Sequence, residues 1–375
     1  MIGGAWRPAS GQEDLLEVVV GARGSAADAW RRWSAANDLE SIDPGSARLL
    51  PLLMPRLDCL PPDDPARARI AGAYRRSFYH GNLVRARAAR ALRVMHAAGL
   101  PTLVIKGGVL GIAHYGDVAL RPMNDFDALV PAGRGADALR ALMGDGWRSA
   151  HPIPESLPDA YHSAPLSSND GLEFDVHWNL LPQASEPDAD APAWAASEPF
   201  DVMGVATRRL CASDLLVIVC AHAAQWSPVA SVWWVADALA IVRREGDSID
   251  WDRIATMASR WHVAAQLHET LAYLRERWGV PVAASTLAAL HDAPIAGVDR
   301  AAHALLMRMP GPVDYLCRPW IRYRLRSRER GAIAALPGFV RYLQVTLGQP
   351  KRRALPLEIA ARFASWRRDR EAGVR

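Results

Sequence analysis

The stretch Leu103–Pro131, LVIKGGVLGIAHYGDVALRPMNDFDALVP, decides the fold of this chain. Its first apolar residues are rich in β-formers and predict a buried strand, which ends at Lys106, Gly107 and Gly108. A short helix is expected after the glycines, and Asp125–Val130 predicts a second strand that the following proline stops. Strand, glycine turn, helix and strand in so short a length indicate a small α/β unit.

Two carboxylates share one face of the second strand, because alternate side chains of a strand point the same way. Asp125 and Asp127 therefore face together, and acids so close repel each other unless a cation lies between them. Mg²⁺ fits that role, since it takes oxygen ligands and keeps coordination sites for phosphate. A further predicted strand, Leu172–Trp178, carries Asp175 and His177 on its polar face. If the two strands are neighbours, we expect Asp175 to approach the same metals.

The glycine turn predicts a second half of the site. Gly107 and Gly108 let backbone N–H groups approach phosphate oxygens closely, and the helix after them presents the positive end of its dipole. Lys106 adds a positive charge, and Arg121 is expected to add another. An Asp-x-Asp pair or a Gly-Gly pair alone favours an ordinary strand end or turn. The combination favours a phosphoryl-transfer site, where positioning and charge neutralisation do most of the chemistry.

Helices are predicted on both sides of this unit, so the fold class is α+β, a small mixed sheet embedded in a mainly helical protein. Residues 1–99 are expected to form a helical region that packs on the core. Residues 100–200 hold the strands, with a surface linker over residues 183–200, and residues 201–375 form a C-terminal helical domain.

Composition and charge limit the classes of protein to which the chain can belong. The formal net charge of +4 does not favour nucleic-acid binding, although local basic stretches exist. Four scattered cysteines form no CxxC pair, so neither zinc nor disulfides are indicated. No signal peptide is recognised, and no apolar stretch reaches the roughly 20 residues of a membrane span. A cytoplasmic protein is expected.

The chain resembles the uncharacterised nucleotidyltransferase family of the DNA-polymerase-β-like superfamily over roughly residues 45–280. The matching motifs are a Lys-Gly pair, a tyrosine, an Arg-Pro-Met-x-Asp block, an acid-x-His-Trp strand and two helical positions. They fall at Lys106-Gly107, Tyr115, Arg121–Pro131, Asp175–Trp178, His222, and Trp234 with Asp237. Where the superfamily often has Gly-Ser, this chain has Gly107-Gly108, so a hydroxyl contact to phosphate is absent.

The resemblance implies a polymerase-β-like core and metal-dependent transfer of a nucleoside monophosphate from an NTP, with ATP as the default nucleotide. Two Mg²⁺ ions would be bound by Asp125 and Asp127. Asp175 would be a third ligand or would take the proton of the acceptor hydroxyl. Gly107 and Gly108 would cradle the triphosphate, and Lys106 would lie beside it.

Other residues have weaker indications. His177 would orient Asp175 or contact the acceptor, although a histidine bonded to a backbone carbonyl is the plainer interpretation. His222 and Gln225 are candidates for a substrate cleft, with a satisfied core histidine as the plainer interpretation of His222. The tryptophans at 233, 234 and 261 are expected in the core, and the arginines alternating over Arg322–Arg330 on a solvated face.

The acceptor stays open. A hydroxyl of a small molecule, peptide or protein is favoured, in a natural-product or polysaccharide pathway by analogy with the family. One alternative is a toxin-type nucleotidyltransferase that modifies tRNA. Another is a non-catalytic nucleotide-binding scaffold, which the intact Asp125, Asp127 and Asp175 make less favoured.

Overall fold

A mixed sheet of six strands lies at the centre of the computed structural model, in the order β3-β4-β2-β1-β6-β5. The structure describes residues 6–149, 161–224, 232–306, 312–328, 330–349 and 351–371. The strands are β1 (Leu103–Ile105), β2 (Asp125–Leu129), β3 (Ser163–Ser167), β4 (Glu173–His177), β5 (Glu198–Val202) and β6 (Val205–Arg209). The predicted α+β class is confirmed.

The pairing of the strands determines which polar side chains lie next to one another on the sheet. β2 runs antiparallel to β1 and parallel to β4, so Asp127 pairs with Ile105 on one side and with Asp175 on the other. The predicted neighbourhood of the two acidic strands is thus present. On the opposite face, the rings of Phe126 and Phe174 stack 5.8 Å apart and belong to the hydrophobic core.

The helices up to residue 144 lie before the sheet or between its first strands in the chain. They are α1 (Ser10–Val20), α2 (Arg23–Ala36), α3 (Pro44–Ala47), the 3-10 helix Leu50–Cys59, α4 (Ala66–Ala97), α5 (Gly107–Val109) with the π-turn Leu110–His114, and α6 (Gly135–Gly144). Of these, α4, α5 and α6 contact the sheet directly, and the long helix α4 contacts α6, β2, β5 and β6. Its buried side, which includes Ile70, Val84 and Leu92, recurs at the spacing of an amphipathic helix.

The rest of the described chain is helical apart from the strands β5 and β6. The helices are α7 (Ala191–Ala195), α8 (Ala212–Ala223), α9 (Trp233–Glu245), α10 (Trp251–Arg260), α11 (Ala264–Trp278), α12 (Ala284–Asp292), α13 (Gly297–Leu306), α14 (Pro312–Arg326), α15 (Ala332–Leu347) and α16 (Leu355–Glu371). The tryptophans of α9 and Trp261 are buried, as expected. Within the described ranges, no helix has both the length and the apolar character needed to cross a bilayer.

The segment after residue 183 differs from the predicted surface linker. Ala184, Ala189 and Ala193 are fully or nearly fully buried, and the chain continues into the hairpin of β5 and β6. Both strands are short and half-exposed and carry charged residues or proline, so their sequence shows no clear β pattern. Because β6 pairs with β1, the sheet extends to Arg209, beyond the boundary expected at residue 200.

Two glycines of α6 allow a matched test of the packing. A methyl group at Gly135 would lie 2.6 Å from the Trp178 ring, whereas one at Gly144 meets nothing within 4 Å. We expect Gly135→Ala to lower the free energy of unfolding by about 1–3 kcal/mol, because an added carbon in a packed contact forces its neighbours to move. Gly144→Ala is expected to be neutral or stabilising in the same urea titration. Equal effects of the two substitutions would contradict this packing.

Candidate active site

Lys106 lies at the point where β1 turns into α5. Its φ of 48° is in the left-handed region, which non-glycine residues adopt at an energetic cost. The side chain crosses to β2, where Nζ lies 2.7 Å from Oδ1 of Asp127. Burial alone would lower the pKa of Lys106, but the charge of Asp127 raises it, so the ammonium keeps its charge.

Asp127 is the most enclosed acid of the site, with 3% of its surface exposed. Burial alone would raise the pKa of this carboxyl. The charge of Lys106, followed by the contact with His177, instead holds the pKa well below its usual range. Asp127 therefore stays ionised in the interior, because its cationic neighbours supply the stabilisation that water would otherwise give.

His177 joins the carboxylates of two strands. Its Nε2 lies 3.0 Å from Asp127 Oδ1, 3.2 Å from Asp175 Oδ2 and 3.5 Å from Lys106 Nζ. Burial and then the charge of Lys106 oppose protonation, yet the bonds to Asp127 and Asp175 raise the pKa of His177 overall. The expected bond to a backbone carbonyl is not what the structure shows, since Nε2 faces carboxylates.

Three of these residues could hold a metal ion. One oxygen each from Asp127 and Asp175 and a ring nitrogen of His177 lie within 4.8 Å of one another. Oδ1 of Asp175 is buried and has no hydrogen-bond partner among the described residues, so it is available as a ligand. This donor set fits a divalent cation. The alternation of side chains along β4 places His177 on the same face as Asp175. This alternation was the signal in the sequence that His177 belongs to the site.

Asp125, predicted as a metal ligand, lies at the exposed start of β2 and is not part of that group of three. The protein around it removes some hydration, and this effect, followed by the charge of Asp127, raises the pKa of Asp125. Asp125 shares the polar face with Asp127 through the alternation of β2. It therefore lies at the open side of the cluster.

The two glycines begin α5, where the first N–H groups of a helix have no partner within it. Each also has a packing reason to lack a side chain. A methyl group would lie 2.5 Å from Arg121 Nη1 at Gly107, and 2.8 Å from the Phe126 ring at Gly108. Their predicted contact with a triphosphate remains a prediction.

Arg121, expected to contact phosphate, is bonded to Asp237 of α9. Its Nε and Nη2 lie 2.9 and 2.8 Å from the two carboxylate oxygens, and the Tyr115 hydroxyl donates to Oδ1 at 2.9 Å. The guanidinium also lies 5.8 Å from the centre of the Trp233 ring. The motif positions at Tyr115 and Asp237 are thus explained by one largely buried polar cluster, which joins the helical region to the glycine turn.

His222 and Gln225 were the weaker candidates for a substrate cleft. His222, near the end of α8, has an exposed side chain and is not the satisfied core histidine expected by default. The protein on its inner side removes hydration, and this effect, followed by the charge of Lys106, lowers the pKa of His222. Gln225 lies outside the described residues. His162, before β3, contacts the His177 ring edge-on at 5.4 Å and was not predicted.

Comparison with known proteins identifies a family that the chain matches. A family model described as uncharacterised nucleotidyltransferase matches residues 46–279. Among curated proteins, none matches the chain. The crystal structure of an antigenic nucleotidyltransferase-like protein from Paracoccidioides brasiliensis covers 56% of this chain and 93% of its own, with 13% identity and a TM-score of 0.35. No residue or activity can be carried over at that level of similarity.

The buried Arg121–Asp237 pair is expected to be important for stability. Asp237→Asn leaves a largely buried guanidinium without its counter-charge, and we expect a loss of about 3 kcal/mol in the free energy of unfolding. Tyr115→Phe, which removes one hydrogen bond, should cost about 1 kcal/mol. The control is Asp28→Asn, which breaks an exposed pair with Arg31 and should cost under about 1 kcal/mol. Urea denaturation measures all three, and similar losses for Asp237→Asn and Asp28→Asn would refute the buried pair.

Proposed function

Because this chain belongs to the uncharacterised nucleotidyltransferase family, we propose that it moves a nucleoside monophosphate from an NTP to an acceptor hydroxyl with the help of divalent metal. The observation that carries the proposal is the cluster of Lys106, Asp127, Asp175 and His177 on neighbouring strands. The protein is a nucleotidyltransferase. ATP as donor, Mg²⁺ as metal and a small-molecule, peptide or protein acceptor are parts of the proposal.

The metal would be held by Asp127 and Asp175, with His177 as a nitrogen donor and Asp125 at the open side. Two Mg²⁺ ions are proposed, because several carboxylates face one another across β2 and β4. When bound, Mg²⁺ neutralises phosphate charge and orients the triphosphate. His177 also makes the site suitable for Mn²⁺, which accepts imidazole more readily than Mg²⁺ does.

The residues of the chain would then act on the two reactants. Lys106 and the N–H groups of Gly107 and Gly108 would bind the phosphates. The acceptor oxygen forms a bond to the α-phosphorus while the bond to the β-phosphate oxygen breaks, and pyrophosphate leaves with that electron pair. Asp175 would take the hydroxyl proton. Arg121, held by Asp237, would position the turn that contains Gly107.

The metal and nucleotide part of the proposal predicts cooperative binding. A fluorescent ATP analogue should bind the wild-type protein at least tenfold more tightly with Mg²⁺ or Mn²⁺ than with EDTA. Asp127→Asn should remove that difference, because the carboxylate charge is needed for the metal. The control, Asp170→Asn, removes an exposed acid at the turn before β4 and should leave the affinity unchanged. Metal-independent binding of the nucleotide would contradict the proposal.

The transfer step predicts a separate effect of Asp175. With ATP labelled at the α-phosphate and fractionated pools of small molecules, peptides and RNA, we expect label in a small-molecule or peptide fraction together with pyrophosphate release. Asp175→Asn should lower the rate by about 10²–10⁴-fold, because a positioned base is lost. Label in tRNA would favour a toxin-type activity. Nucleotide binding without transfer to any pool would favour a scaffold.

A further inference from the structure

A groove with a volume of about 860 Å³ opens beside Asn124, the residue that precedes Asp125. Its walls are the first half of α4, the segment at 47–51 that leads into the 3-10 helix, and the loop Pro122–Asn124. A volume of this size is within the range of clefts that bind small molecules. The groove lies apart from Lys106, Asp127 and Asp175, since none of these residues lines it.

Positive charge dominates the groove. Its cationic or protonatable side chains are Arg48, Arg69, Arg76 and His80, and no aspartate or glutamate is among the lining residues. Arg69 is paired with Glu40 outside the lining. Arg48 and Arg76 form no ion pair with another described residue. Such a surface attracts anions, and arginine is suited to bind phosphate or carboxylate through two parallel hydrogen bonds.

Ser77 gives an independent indication of a ligand. It lines the groove with 6% of its surface exposed, and its Oγ is buried with no hydrogen-bond partner among the described residues. A buried hydroxyl without a partner is unfavourable, so a partner from the groove would remove a cost. Tyr79, also in the lining, has 70% of its surface exposed. The ring and the apolar side chains of Leu50 and Met123 offer a surface for an apolar body.

One loop, Pro122–Asn124, separates the groove from the reaction centre. Met123 separates the groove from the glycine turn, because a methyl group at Gly107 would lie 3.5 Å from Met123 Cγ. Asn124 and Asp125 are consecutive, so their Cα atoms are about 3.8 Å apart. A molecule in the groove would thus lie beside the Pro122–Asn124 loop, which leads directly into Asp125.

We propose that this groove binds the acceptor and that the acceptor is a small molecule with an anionic group, a phosphate or a carboxylate, attached to an apolar or ring body. The anion is bound by Arg48 and Arg76 and accepts a hydrogen bond from Ser77, and the body packs against Tyr79. The proposal rests on the proposed function, because it assigns the second substrate of that reaction. The phosphates of the NTP have their own cations at Lys106 and the metal, so they do not require these arginines.

Calorimetric titration with simple probes tests the assignment. The probes are phenyl phosphate and phenylacetate, which combine a ring with each anion, and benzyl alcohol as a neutral analogue. We expect one or both acids to bind the full chain, and their affinity to change less than threefold when the Mg²⁺ complex of α,β-methylene-ATP is present at saturation. Benzyl alcohol is expected to bind at least tenfold more weakly, because it lacks the charge.

Two variants and a matched control locate the probe. Arg76→Gln should raise the Kd about tenfold, since hydrogen bonds to a charged group contribute on that scale. Ser77→Ala should weaken binding without destabilising the fold, because the hydroxyl has no described partner to lose. Arg75→Gln, at the exposed neighbour of Arg76 outside the groove, should leave the Kd unchanged.

Failure of the groove assignment can be distinguished from failure of the proposed function. The groove assignment is overturned, with the proposed function intact, if the nucleotide binds but displaces the acids, if neither acid binds, or if the variants at Arg75 and Arg76 weaken binding equally. Binding of a tRNA 3′-end oligonucleotide in place of the acids, sensitive to Arg76→Gln, would also overturn it in favour of a nucleic-acid acceptor. Absence of metal-dependent nucleotide binding refutes the proposed function, and the acceptor assignment with it.

Discussion

The contact between Lys106 Nζ and Asp127 Oδ1 is the interaction on which the rest of the site depends. It joins β1 to β2 at the end of the strand that leads into the glycine turn, and it keeps a buried carboxylate ionised. A buried ion pair contributes little net stability, since desolvation offsets the attraction. The contact instead fixes positions. It holds Lys106, whose backbone is strained, both at the start of the glycine turn and beside the carboxylate of Asp127.

The helical regions complete a site that the sheet only begins. Asp237 of α9 binds Arg121, and Arg121 Nη1 packs so closely on Gly107 that a side chain there would clash. α4 forms a wall of the groove beside Asn124. The sheet supplies carboxylates and the histidine, whereas helices on either side determine the shape of the turn and of the neighbouring surface.

Local periodicity was enough to predict the acidic face. Alternation in β2 and β4 places Asp127 and Asp175 on one side, and the register then pairs them, which no single strand could show. The ion pair of Arg121 could not be predicted from local sequence patterns, because its partner Asp237 is 116 residues away. The β5–β6 hairpin was missed since its strands are half-exposed and their β character depends on pairing with β1. The packing role of Gly107 and Gly108 was not predicted for a similar reason, because the side chains that crowd them belong to residues later in the chain.

The position of β1 has a consequence for how the protein folds. This strand of three residues has β2 on one side, about two dozen residues later, and β6 on the other, where Thr102 and Thr207 meet across 105 residues of sequence. During synthesis, β1 and β2 can pair as soon as both have emerged, so Lys106 and Asp127 can meet early. Until β6 is made, the other edge of β1 has unpaired backbone groups and can associate with other chains. A shortened protein that ended near residue 200 would keep that open edge permanently, whereas one that included Arg209 would close it.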